Sequence, residues 1–244
     1  HAAGGVPAVM EELRPLLHLN ALTVTGLSLE ENLAGGPSGA NNTLVRSMAD
    51  PWSATGGLAI LKGNLAPDGA VTKPGAVHPE MYRFEGSARC FDSEEEANEA
   101  ILNGEIREGD VLVIRYEGPK GGPGMREMAT AMKLLYGQGL ALKTAVISDG
   151  RFSGTNNGCF VGHISPEAAE GGPIALIKDG DRILVDIGQQ SIQVQLGDEE
   201  LKQRRAGWQP PPIKNSTGYL GIYARLATSA SEGATAAIAP LLCA

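Results

Sequence analysis

Residues 144–187 read TAVISDGRFSGTNNGCFVGHISPEAAEGGPIALIKDGDRILVDI. Thr144-Ala-Val-Ile147 is a short apolar run closed by the turn signal Ser148-Asp149-Gly150, which predicts a buried strand. Residues 151–158 have loop composition, with small hydroxyl and amide side chains among glycines. Glycine has no Cβ, so backbone N–H groups there can approach a small anion closely. With Arg151, Ser153 and Thr155 at a strand end, the loop suits a carboxylate or a phosphate. The same composition equally suits a structural loop whose hydroxyls bond their own backbone. A second turn region, 165–173, precedes the apolar run 174–177, read as a strand. The turn Lys178-Asp-Gly-Asp181 then leads into residues 182–187, which alternate like a half-buried strand.

Outward from this stretch the pattern is mixed. Residues 111–116 form a near-continuous apolar run, expected of a strand covered on both faces. Then come the glycine-rich segment 117–124 and a helical pattern over 125–135. As a phosphate cradle the segment lacks a Gly-Lys-Ser/Thr ending, and its prolines remove N–H donors. It reads better as a rigid turn aiming Glu127 from the first helical turn, where an acid is ordinary. Residues 84–91 predict a strand, and Asp92-Ser93 a cap over helix 94–102, with Glu94, Glu95 and Glu96 a solvated helix start. Residues 56–71 read as strand, turn, strand. Downstream, 192–196 alternate as a strand, 198–205 suggest a charged helix and 208–214 an extended segment. Residues 221–231 look helical, with Ile222, Leu226 and Ala230 on one face.

Toward the amino end, 35–42 reads as a linker and the domain boundary falls near residue 54. Residues 6–14 predict a short helix with Val6, Val9, Met10 and Leu13 on one side, and Ser28 to Glu31 has capping-box spacing. His1 and His18, lacking partners, read as surface or packing residues.

The 244 residues are 42% hydrophobic and 20% charged, with 33 glycines and a net charge of −8. This is globular composition with many turns. The acidic balance argues against nucleic acid and an anionic membrane surface as partners. No apolar run reaches the ~18 residues a membrane span needs. Cys90, Cys159 and Cys243 are too few and too scattered for a disulfide framework or a self-contained metal site, as in a reducing cytosol. The opening His1-Ala-Ala-Gly-Gly has neither the basic region nor the apolar core of a secretory signal. It also lacks an initiator methionine, and reads as the start of a piece of something longer.

SDGRFSG followed by GHISPEAAEGGPIAL, with LKGNLAPDGAV and EGPKGGPGMREM upstream, resembles the dihydroxy-acid dehydratase / 6-phosphogluconate dehydratase family over essentially the whole chain. The resemblance implies an α/β fold. Residues 55–244 would form a swivelling β/β/α barrel, the C-terminal dehydratase domain, and 1–54 the closing helices of the N-terminal domain plus a linker. It implies loss of water from a 2,3-dihydroxy acid to give a 2-oxo acid. In that family a serine is the base, here Ser153. Gly154 and Thr155 would contact the substrate carboxylate, and Glu127 would ligate Mg2+. An iron–sulfur cluster, 2Fe–2S or 4Fe–4S, would sit on cysteines of the other domain, with none of its ligands here, so this chain alone should be inactive. The expected setting is branched-chain amino-acid biosynthesis by a cytoplasmic homodimer that binds neither nucleic acid nor membrane. Thr155, where many branched-chain members have glycine, favours an alternative sugar-acid substrate, an aldonate or 6-phosphogluconate. A non-catalytic binding module is the reading from another class.

Overall fold

The computed structural model describes residues 2–36, 43–153, 157–212 and 214–236. They fall into two compact units, 1–56 and 57–244.

The first unit holds α1 (Gly5–Glu12), a 3-10 turn (Arg14–Leu16) and α2 (Leu29–Leu33). The capping box is present: Ser28 Oγ accepts the Glu31 amide at 3.2 Å, and Glu31 accepts the Ser28 amide at 2.8 Å. The expected apolar side of α1 is not a buried face, because Val6, Val9 and Leu13 are exposed and only Ala8 is buried. His18 is exposed; His1 lies outside the described residues.

The second unit is a closed barrel. In chain order it contains β1 (Ala59–Gly63), β2 (Ala66–Thr72), β3 (Arg83–Phe91), α3 (Glu94–Leu102), β4 (Asp110–Ile114), β5 (Glu127–Met128) and α4 (Thr130–Gly137). There follow β6 (Ala145–Ser148), β7 (Arg151–Phe152), β8 (Cys159–Ser165), β9 (Arg182–Asp186), β10 (Ser191–Val194), α5 (Asp198–Gly207) and α6 (Gly218–Leu226). The barrel order is β1-β10-β9-β3-β4-β6-β8-β2, and β5 pairs with β7 apart from it. Strands β3, β4, β6 and β8 run parallel to their neighbours in that order, while β2 and β9 flank them antiparallel.

The apolar runs follow from burial on both faces. Along β4, Val111 and Val113 point into the barrel with Ile147 of β6, while Leu112 and Ile114 point outward against α3 and α4 with Val146. Where only one face is covered the pattern alternates, as in β9, whose Ile183 and Val185 are buried between more exposed neighbours. Asn64 helps close the seam: its amide donates to the Val194 carbonyl and accepts the Val194 N–H, both at 2.8 Å. A side chain thus supplies the hydrogen bonds a strand neighbour would.

Three local expectations need correcting. The run 174–177 is a 3-10 turn (Pro173–Leu176), not a strand. Gly172 lies against the Pro166 carbonyl, where an added Cβ would stand 1.9 Å away, and Pro173 then fixes the backbone for a tight turn. The α6 helix ends at Leu226, with Ala230 in a separate turn and Ile222 exposed, so those residues share no buried face. Glu94 is not solvated: it is 6% exposed and accepts the Thr130 amide at 3.2 Å. Ser93 caps α3 as expected, accepting the Glu96 amide.

Candidate active site

Because β3, β4, β6 and β8 are parallel, their carboxyl ends open on one rim of the barrel. The connections after β4, β6 and β8 leave from that rim, the side on which parallel sheets usually carry their sites. Glu127 and Ser153 both belong to these connections.

Strands β5 and β7 are short and parallel, with Glu127 opposite Arg151 and Met128 opposite Phe152. Met128 is buried and Glu127 exposed, so the pair has an inner and an outer face. Ser153 follows the two residues of β7 and lies outside both strands. Glu127 stands in a strand, not in the first turn of the following helix, which begins at Thr130. Its backbone is turned by positive φ at Gly124 (91°) and Met125 (41°), and Arg151 Nε donates to the Met125 carbonyl. Among the described residues, no side chain bonds the Glu127 carboxylate or the half-buried Ser153 hydroxyl. Gly154 and Thr155 lie outside the described residues. Glycine is required at 150, where a Cβ would come within 2.8 Å of Glu117 Cβ and Met128 Cε.

His163 was not singled out by the sequence. It is half-buried on β8, has φ 55°, and its amide donates to the Gly150 carbonyl at 2.8 Å. Burial holds its imidazole below the usual value, and the charges of Arg151 and Lys73 push it further down.

Three buried carboxylates were also missed. Asp149, 0% exposed, accepts the amides of Tyr116 (3.2 Å), Glu117 (3.0 Å) and Ala168 (2.9 Å). Glu167 accepts the amides of Lys120 and Gly121, each at 2.9 Å. Glu117 accepts the Glu94 amide at the start of α3 at 3.0 Å. Tyr116 has φ 59°, and successive amides turned this way form an anion-binding concavity. The glycine-rich segment therefore does cradle anions, but they are the chain's own carboxylates. Burial dominates their chemistry, pushing Asp149 up to about 6 and Glu167 up to about 7 despite the amide donors. The available sequence signal was position: each acid stands one to three residues beyond the end of a buried parallel strand.

A lone, unpaired carboxylate such as Glu127 fits Mg2+, a hard ion often held through one or two carboxylates. Among the described residues no group of three His, Cys, Asp or Glu side chains converges on a metal position. The described cysteines do not fit a cluster. Cys159 is buried and Cys90 largely so, and burial pushes both thiols up to about 12, far from the thiolate a cluster needs. Cys243 lies outside the described residues. A cavity of about 340 Å³ lies between Tyr116, the proline segment 210–212 and Arg225. Another of about 540 Å³ lies beside Arg204 and Trp208; neither is lined by Glu127 or Ser153.

No helix among the described residues is long and apolar enough to cross a membrane. The chain is 56% identical to a dihydroxy-acid dehydratase of Caldanaerobacter subterraneus subsp. tengcongensis over 236 residues, 96% of this chain and 42% of that protein. It is 52% identical over 236 residues to that of Acetivibrio thermocellus, again 96% and 42%. For the Moorella thermoacetica dihydroxy-acid dehydratase the identity is 53% over 234 residues, 95% of this chain and 42% of the relative. The chain thus spans about two fifths of the length of these relatives. The family described as dihydroxy-acid/6-phosphogluconate dehydratase C-terminal matches residues 43–234, and with the barrel and its rim in place, the chain belongs to that family.

Proposed function

We propose that the whole protein containing these residues is a hydro-lyase that converts a 2,3-dihydroxy carboxylic acid to a 2-oxo acid, as a dihydroxy-acid dehydratase of branched-chain amino-acid biosynthesis. The observation carrying this reading is the β5–β7 register, which sets Glu127 opposite Arg151, two residues before Ser153. Residues 55–244 form the dehydratase domain, of the swivelling-barrel type, and 1–54 end a preceding domain. The working protein is a cytoplasmic homodimer, and neither nucleic acid nor a membrane takes part.

In this reading Ser153 takes the proton from C2, the C3–O bond breaks with loss of the hydroxyl as water, and the enol becomes the 2-oxo acid on protonation at C3. A serine oxygen can act so only as an alkoxide, an anion that nearby cationic charge or loop N–H donors would have to favour. Gly154 and Thr155 hold the substrate carboxylate. Glu127 offers one carboxylate oxygen to Mg2+, which when bound stabilises negative charge on the substrate. The iron–sulfur cluster, which would assist loss of the C3 hydroxyl, has no fitting ligand among the described residues. The chain on its own is therefore expected to be inactive.

Thr155 supports a second reading, a sugar-acid dehydratase acting on an aldonate or 6-phosphogluconate. Assaying the whole protein with 2,3-dihydroxy-3-methylbutanoate, an aldonate and 6-phosphogluconate separates the two. Turnover of the branched acid alone supports the first, turnover of a sugar acid alone the second, and turnover of none contradicts both.

A further inference from the structure

We infer that Asp149 and Glu167 are positioning residues whose grip on the 116–121 turn sets where Glu127 stands. This rests on the reading of Glu127 as a magnesium ligand. Asp149 binds the turn's first two amides and, through Ala168, ties them to the connection after β8. Glu167 reaches back from that same connection to the amides of Lys120 and Gly121. The connections after β4, β6 and β8 are thereby joined at one place on the rim.

The glycines of the turn follow from this closeness. A Cβ at Gly118 would lie 2.7 Å from Glu167 Oε2, and one at Gly121 2.7 Å from Tyr116 Cα. Backbone φ is positive at Tyr116, where the turn begins, and again at Gly124 and Met125, three and two residues before Glu127. Any loosening at 116–121 therefore passes to Glu127, whose only strand partner among the described residues is the two-residue β7.

The test compares Asp149→Asn and Glu167→Gln with Glu170→Gln in the whole protein. Glu170 pairs with the Lys120 side chain and leaves the turn's amides alone, so it is the control. Hydrogen exchange over 116–126 should quicken about tenfold or more in the first two variants, the loss of roughly one hydrogen bond, with β3 and β6 unchanged. Apparent Mg2+ affinity should fall about 10- to 100-fold, with kcat at saturating Mg2+ largely restored, as for loss of a residue that orients a ligand. If Asp149→Asn does not fold, Glu167→Gln carries the test. Unchanged exchange at 116–126, or equal quickening throughout the barrel, overturns the inference. Glu127→Gln is measured alongside. If that change leaves Mg2+ dependence untouched, the metal assignment falls, and exchange still decides whether the two carboxylates hold the turn.

Discussion

The carboxylate of Glu117 accepts the backbone N–H of Glu94 at 3.0 Å, so an acid three residues beyond β4 caps the first turn of α3 from outside the helix. The same oxygen lies 3.2 Å from Arg126 and 3.8 Å from Lys214 Nζ. Both cations are substantially exposed, so the amide bond matters more than the ion pairs. Glu117→Ala leaves a buried amide unsatisfied and should cost about 1–3 kcal/mol. Glu117→Gln keeps an acceptor and should cost less. Urea denaturation of the two variants checks the order, and equal losses would contradict it.

Close approach at Gly150 gives a second expectation. Gly150→Ala forces its Cβ against Glu117 and Met128 and should cost about 1–3 kcal/mol. Gly57→Ala meets nothing within 4 Å and should be nearly neutral. Thermal melts of both variants measure the contrast.

The barrel was partly legible and the carboxylate clamp was not, for one physical reason. Strands β4 and β6 announce themselves because local apolar runs report burial, and Ser28 and Ser93 announce their helices because caps act within three residues. Closure depends on Asn64 meeting Val194, which no local pattern encodes. Asp149, Glu117 and Glu167 likewise act on amides 19 to 47 residues away. The 174–177 run misled because its burial comes from packing around a turn. The role proposed for Glu127 comes from resemblance alone, since its exposed carboxylate and two-residue strand leave no periodic signal.

Stability should shift with pH through the clamp. Asp149 and Glu167 titrate at about 6 and about 7 in the folded chain, above their ordinary values, because burial disfavours their charges, with added repulsion from Glu117 on Asp149 and from Asp149 and Glu170 on Glu167. The folded state then holds protons the unfolded state has released. Their contribution is present at low pH and is lost as pH rises through about 6 and about 7. His163, held low, works in the opposite direction as pH falls below its ordinary value. The comparison is therefore between wild type and the Asp149→Asn/Glu167→Gln double variant, by denaturant unfolding at pH 5 and pH 8. Wild type should gain on the variant at pH 5. An identical pH dependence contradicts the shifted titrations.

The thiols supply a further check. With Cys90 and Cys159 pushed up to about 12 by burial, almost no thiolate is present at neutral pH. A thiol reagent should leave Cys90 and Cys159 unlabelled in the native protein and label both after unfolding, as read by peptide mass spectrometry. Rapid native labelling would show that a buried cysteine is open to reagent or to a cluster.

The account turns on the hydroxyl of Ser153 as the group that removes the C2 proton. Ser153→Ala, assayed in the whole protein with its metals bound, should lower kcat by at least about 100- to 10,000-fold while Mg2+ and iron contents stay at wild-type levels. Near-normal turnover with the metals in place would contradict it.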